Sequence, residues 1–155
     1  MFKKIALSVA TLAVASTAVF AASHAGPFDA AIKARQAQME LYQYNLVILG
    51  GMAQGKIEYN AEAATAAANN LAALVNLDQS TYWPAGSDSS AVEGTRALPA
   101  LWEDFPGVMA EAGKLSEGAA AMQTAAGGGL ESLQGALGPI GAACGGCHKA
   151  YRASE

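Results

Sequence analysis

Apolar residues recur along this chain in alternating steps of three and four, and no stretch alternates with period two. A helix repeats every ~3.6 residues, so positions spaced this way share one face. Over residues 28–55 the stripe is Phe28, Ile32, Arg35, Met39, Tyr42, Leu46, Leu49 and Ala53, with Pro27 suited to the first turn. A second helix is predicted over 60–76, capped by Asn60 and lined by Ala64, Ala67, Leu71 and Leu74. A third spans 104–126, with a short turn before it over 99–102. Its stripe is Val108, Ala112, Leu115, Ala119, Met122 and Ala126, and Pro106 is confined to its first turn. Gly127-Gly128-Gly129 ends it. The fourth covers 130–152 through Leu130, Leu133, Leu137, Ile140, Cys144, Cys147 and Tyr151. Pro139 inside it predicts a kink, and Gly135, Gly138 and Gly141 leave room there for something bulky. Residues 77–98 are dense in turn formers and read as a crossover running the length of a bundle. The fold expected is all-α, an antiparallel up-down-up-down four-helix bundle.

The N-terminus follows a different pattern. Lys3 and Lys4 precede an uncharged apolar run from Ile5 to Ala22, and Ser23-His24-Ala25 offers small residues at −3 and −1 of a cleavage site. Residues 1–25 read as a secretory signal that is removed. The competing reading is a membrane anchor, but the run sits at the lower edge of a spanning length and is diluted by Ala, Ser and Thr. Cleavage leaves residues 26–155 as one periplasmic domain with no membrane attachment. It also changes the charge. The full chain of 155 residues carries −4; without Lys3 and Lys4, seven basic residues face thirteen acids, which is −6. His24 is lost as well, so His148 is the remaining histidine.

An acidic chain (pI about 5.1) with no basic patch excludes a nucleic-acid binder. The carboxylates form no paired acid–base constellation, and neither a Ser-His-Asp set nor a phosphate loop is present. Nothing in this pattern calls for an enzyme.

The chemistry is concentrated near the C-terminus. Cys144-Gly145-Gly146-Cys147-His148 is a C-x-x-C-H motif, the signature of covalent haem c attachment. At about 100° per residue, Cys147 lies about 60° to one side of Cys144 and His148 about 40° to the other. Two thiols can then add to the two vinyl groups of one haem while the imidazole reaches the iron. The two glycines keep the porphyrin edge clear. A zinc site would be one ligand short of a closed set. A redox dithiol of the thioredoxin kind lacks its βαβ setting. A disulfide between these positions would be strained and would leave His148 without a reason. His148 is therefore the expected axial ligand, as neutral imidazole. A sixth ligand must come from upstream, and the candidates are Met39, Met52, Met109 and Met122.

These residues also resemble a known family. The ending Cys144-Gly-Gly-Cys147-His148-Lys-Ala-Tyr151-Arg152, the stretch Lys33-Ala-Arg35-Gln36-Ala-Gln-Met39 and the central Leu98-Pro99-Ala-Leu101-Trp102 look like a class II c-type cytochrome of the cytochrome c′ group. The resemblance covers the whole chain after the signal. It implies one haem c per chain, with thioether bonds at Cys144 and Cys147 and His148 as axial ligand. Arg152 matches a basic residue near that face of the haem. Arg35 and Gln36 match positions near the propionates, and Met39 matches the residue over the other face of the iron. Pro106 and Lys149 depart from the family pattern without touching the haem assignment.

Two states follow from this. In the first the iron is five-coordinate, Met39 sits over it unbonded, and the protein binds nitric oxide or carbon monoxide, or carries electrons. In the second Met39 is the sixth ligand of a low-spin electron carrier. A peroxidase reading lacks a distal acid–base pair. Small-residue faces on the first two helices and the family analogy predict a homodimer. The charge predicts a periplasmic redox partner with a basic patch.

Overall fold

The computed structural model describes residues 26–154; the expected signal segment lies outside the described residues. Helix α1 is Asp29–Ala53, α2 is Ala61–Val75, α3 is Ala100–Glu103, α4 is Phe105–Ala125 and α5 is Leu130–Tyr151. No strand is found among the described residues. The four long helices make the expected bundle, with the single turn of α3 placed just ahead of α4. Helix α1 packs on α2, α2 on α4 and α4 on α5, and α5 closes onto α1 along the thinnest seam of the four.

Local chemistry explains the ends. Asn60 accepts from the Ala63 amide at 2.9 Å and starts α2. Asp104 does the same for α4, accepting from the Gly107 amide at 3.1 Å with Pro106 in the first turn. Between α4 and α5 the chain turns through Gly129 at φ +114°, a conformation that favours glycine. The Tyr59 hydroxyl holds that turn. It donates to the Ala126 carbonyl at 2.9 Å and accepts from the Gly129 amide at 3.0 Å.

The core runs through Leu49, Ala64, Ala68, Leu71, Met122, Leu133 and Ile140. One expectation needs correction. On α1 the buried positions are Ile32, Arg35, Gln38, Tyr42, Asn45, Leu49 and Met52, so the stripe is rotated from the apolar one. Gln38 takes the buried place expected for Met39, which is 38% exposed. The cause is hydrogen bonding. Gln38 donates from Nε2 to the Leu74 carbonyl at 2.9 Å and to the Tyr42 hydroxyl at 2.8 Å. Asn45 donates to the Leu41 carbonyl at 2.8 Å and accepts from Asn70 at 3.3 Å. Buried amides with partners are tolerated in a core.

Helix α5 runs on through Pro139, and a Cβ placed at Gly135, Gly138 or Gly141 meets no atom within 4 Å, so these glycines leave open space beside it. The tight approach of α4 and α5 occurs instead at Gly118, where a Cβ would lie 3.0 Å from Ile140 Cγ1.

Candidate functional site

Cys144, Cys147 and His148 occupy the last two turns of α5, and all three are half-buried. Both thiols are free. Burial pushes both up from the usual thiol range; at Cys147 the Glu111 carboxylate adds to the rise and Arg152 opposes it. Burial, helped by the charges of Arg152 and Arg96, holds His148 below the ordinary imidazole range, so its ring is neutral at pH 7. Among the described residues no three His, Cys, Asp or Glu side chains converge as they would around a bare metal ion. The motif's side chains are instead arrayed along a helix face.

The end of α5 is tied down by backbone far away in sequence. Ala97 and Arg152 form an isolated antiparallel bridge. The Leu98 amide donates to the Tyr151 carbonyl at 2.9 Å, and the Ala153 amide to the Arg96 carbonyl at 2.8 Å. The Arg96 guanidinium reaches the Ala153 carbonyl at 2.8 Å. The Tyr151 hydroxyl donates to Asp104 Oδ2 at 2.7 Å, which joins α5 to the start of α4. Gly107 permits this, because a Cβ there would overlap the Asp104 carboxylate and the Tyr151 hydroxyl.

Arg35 lies 3% exposed on α1. Nη1 donates to Ser87 Oγ at 2.8 Å and to the Tyr82 carbonyl at 3.3 Å. Nη2 donates to the Ser87 carbonyl at 2.6 Å and to Thr95 Oγ1 at 2.7 Å. The guanidinium also sits 4.8 Å from the Trp83 ring centre and 5.9 Å from that of Trp102. Its four Nη–H donors all go to the crossover. Gln36, exposed beside it, donates to the Gly94 carbonyl at 2.7 Å. Arg152 caps α5 with its side chain exposed.

Met39 is one helical turn from both Arg35 and Tyr42. Tyr42 belongs to the core cluster on which Cys144 packs. Arg35 reaches Thr95, two residues before the bridge to Arg152. Gln134 near the start of α5 donates to the Ala53 carbonyl at the end of α1 at 2.7 Å, so the two helices run antiparallel and Met39, fourteen residues back from Ala53, lies level with Cys147 and His148.

Several residues of this end carried no signal in the apolar periodicity. Ser87, Thr95 and Asp104 are polar and lie outside the long-helix stripes. Gln38 interrupts a stripe, and its buried Oε1 has no donor among the described residues. Such an acceptor ordinarily takes a bond from ordered water.

The sequence pattern of the family described as Cytochrome C′ matches residues 30–152. The chain is similar to cytochrome c-554 of Cereibacter sphaeroides, 41% identical over 134 residues, covering 86% of this chain and 88% of that one. It is similar in structure to cytochrome c′ from Rhodobacter Spheriodes, with a TM-score of 0.82 and 32% identity over 84% of this chain and 100% of the other. A further neighbour, at TM-score 0.74 and 31% identity over 81% and 95%, is a cytochrome c′ with an unusual ligand-controlled dimer dissociation.

Proposed function

The chain belongs to the cytochrome c′ family, and from that premise we propose that it is an exported haem c protein, held at Cys144 and Cys147, with His148 as the axial iron ligand. One observation carries this reading. Two free thiols one helical turn apart and a neutral imidazole lie half-buried on one face at the end of α5. These residues fit a covalently held haem: both thiols are protonated and able to add across vinyl groups, and the imidazole offers a lone pair. Bound there, haem supplies a one-electron couple and an iron that takes small neutral ligands. The chain's own part is to present that imidazole, to brace the end of α5 against the crossover and to bring Met39 level with it. The function is electron transfer in the periplasm, or binding of nitric oxide and carbon monoxide at a five-coordinate iron. Arg35 and Gln36 hold the crossover and would stand near the propionates of a bound haem. Arg152 contributes positive charge next to His148.

A second reading takes Met39 as sixth ligand of a low-spin electron carrier. Its level beside Cys147 and His148 supports it. The optical spectrum of the reduced holoprotein separates the two. Broad high-spin bands unchanged by Met39→Ala support the five-coordinate state. Sharp α and β bands that collapse in that variant establish ligation by Met39.

Export rests on residues 1–25 as a cleaved signal; among the described residues no helix is long and apolar enough to cross a membrane. A protein redox partner with a basic patch suits the charge of −6 left after cleavage. A homodimer is also proposed. The outer face of α1 carries Leu41, Tyr44 and Val47, all about half or more exposed. These are large apolar side chains rather than the small ones expected, and a second copy would cover them. Ligand-controlled dimer dissociation in one structural relative supports this reading.

A further inference from the structure

Between the two cysteines, the two glycines of the motif differ in their surroundings. A Cβ placed at Gly145 meets nothing within 4 Å. At Gly146 it would lie 2.5 Å from Glu111 Oε2, 3.0 Å from Cδ and 3.3 Å from Oε1. The Glu111 carboxylate, carried by α4, thus takes the place that a side chain at Gly146 would occupy inside the C-x-x-C-H motif. Any side chain at Gly146 would displace it.

The acid and its cation are unequally placed. Lys114 Nζ is 2.7 Å from Glu111 Oε1, but the Glu111 side chain is 19% exposed and that of Lys114 61%. The carboxylate is sunk against the motif while the ammonium stands in water, where its field is screened. The negative charge is therefore only partly offset at the motif. Glu117 lines the same shallow groove further along, beside Pro139 and Ala142, and is exposed.

We propose that Glu111 sets the reduction potential: its carboxylate against Gly146 favours the oxidised haem over the reduced one and lowers the midpoint potential of the holoprotein. This rests on the haem reading above. Reduction adds one electron to the iron and makes the site more negative by one charge. A fixed carboxylate held at low exposure beside the haem-bearing backbone opposes that gain, and Coulomb's law gives it most weight where water is excluded. Lys114 acts in the opposite sense, more weakly.

The test is a spectroelectrochemical titration of the holoprotein at pH 7 and low ionic strength, comparing wild type with Glu111→Gln, Lys114→Gln and Glu117→Gln. The expected result is an upward shift in Glu111→Gln, a smaller downward shift in Lys114→Gln and little change in Glu117→Gln. An unchanged or lower potential in Glu111→Gln, with the haem spectrum intact, overturns the proposal. So does a Glu117→Gln shift as large as that of Glu111→Gln. If Glu111→Gln does not accumulate, Lys114→Gln decides: a downward shift supports the role and no shift overturns it. A wild-type preparation with no covalent haem in the pyridine haemochrome assay overturns the haem reading itself, an outcome distinct from an unshifted potential.

Discussion

Arg35 grips Ser87 twice, through the hydroxyl at 2.8 Å and the carbonyl at 2.6 Å, and Ser87 is wholly buried. A cation on α1 thereby holds the crossover that in turn bridges to the end of α5. Among the described residues no carboxylate shares in this. The positive charge is balanced by oxygen dipoles and two indole faces. Removing it leaves the buried Ser87 carbonyl without that donor.

Arg35→Leu is expected to cost about 3 kcal/mol, since several charged hydrogen bonds are lost and the Ser87 carbonyl stays buried. Arg35→Lys should cost less but still destabilise, because an ammonium cannot reproduce the fork. Urea unfolding of the holoprotein measures both. Equal stability of Arg35→Leu and wild type would show that the clamp is idle.

The Tyr151 hydroxyl bond to Asp104 predicts an alkaline effect. The bond to Asp104 pushes the Tyr151 phenol up to about 12 from the ordinary 10. A raised value means that the folded state favours the protonated phenol. The bond's stabilisation is therefore complete below about pH 10 and is lost as pH rises towards about 12. Melting temperature followed from pH 9 to 12 should fall more steeply in wild type than in Tyr151→Phe. Parallel curves would exclude this linkage.

Two glycine substitutions should act in opposite directions. Gly107→Ala places a methyl group where the Asp104 carboxylate and Tyr151 hydroxyl lie, so it should lower the melting temperature and loosen the end of α5. Gly141→Ala fills open space on a helix and should stabilise by about 0.5–1 kcal/mol through helix propensity. Thermal unfolding of the two variants side by side checks the contrast.

Association should depend on the outer face of α1. Val47→Lys puts a charge into the exposed apolar face formed with Leu41 and Tyr44. Light scattering at micromolar concentration is expected to give a dimer mass for wild type and a monomer mass for the variant. A monomeric wild type would remove the need for a partner copy there.

Much of this molecule is legible along the chain. The three-and-four spacing, Asn60, Pro106 and Gly129 delimit the four long helices to within about two residues, because helix formation and its caps are local. The C-x-x-C-H motif is legible for the same reason. Its three side chains belong to one helical face whatever that helix packs against.

What needed the tertiary structure are the pairings between distant segments. The rotation of α1 that buries Gln38 in place of Met39 depends on the Leu74 carbonyl of α2. The partners of Arg35 lie 47 to 60 residues away in the crossover. Glu111 meets Gly146, and Tyr151 meets Asp104, only when α4 and α5 lie side by side. Periodicity reports which face of a helix is apolar. It carries no information about which polar group from another segment satisfies a buried donor, and those contacts set the surroundings of Cys144, Cys147 and His148.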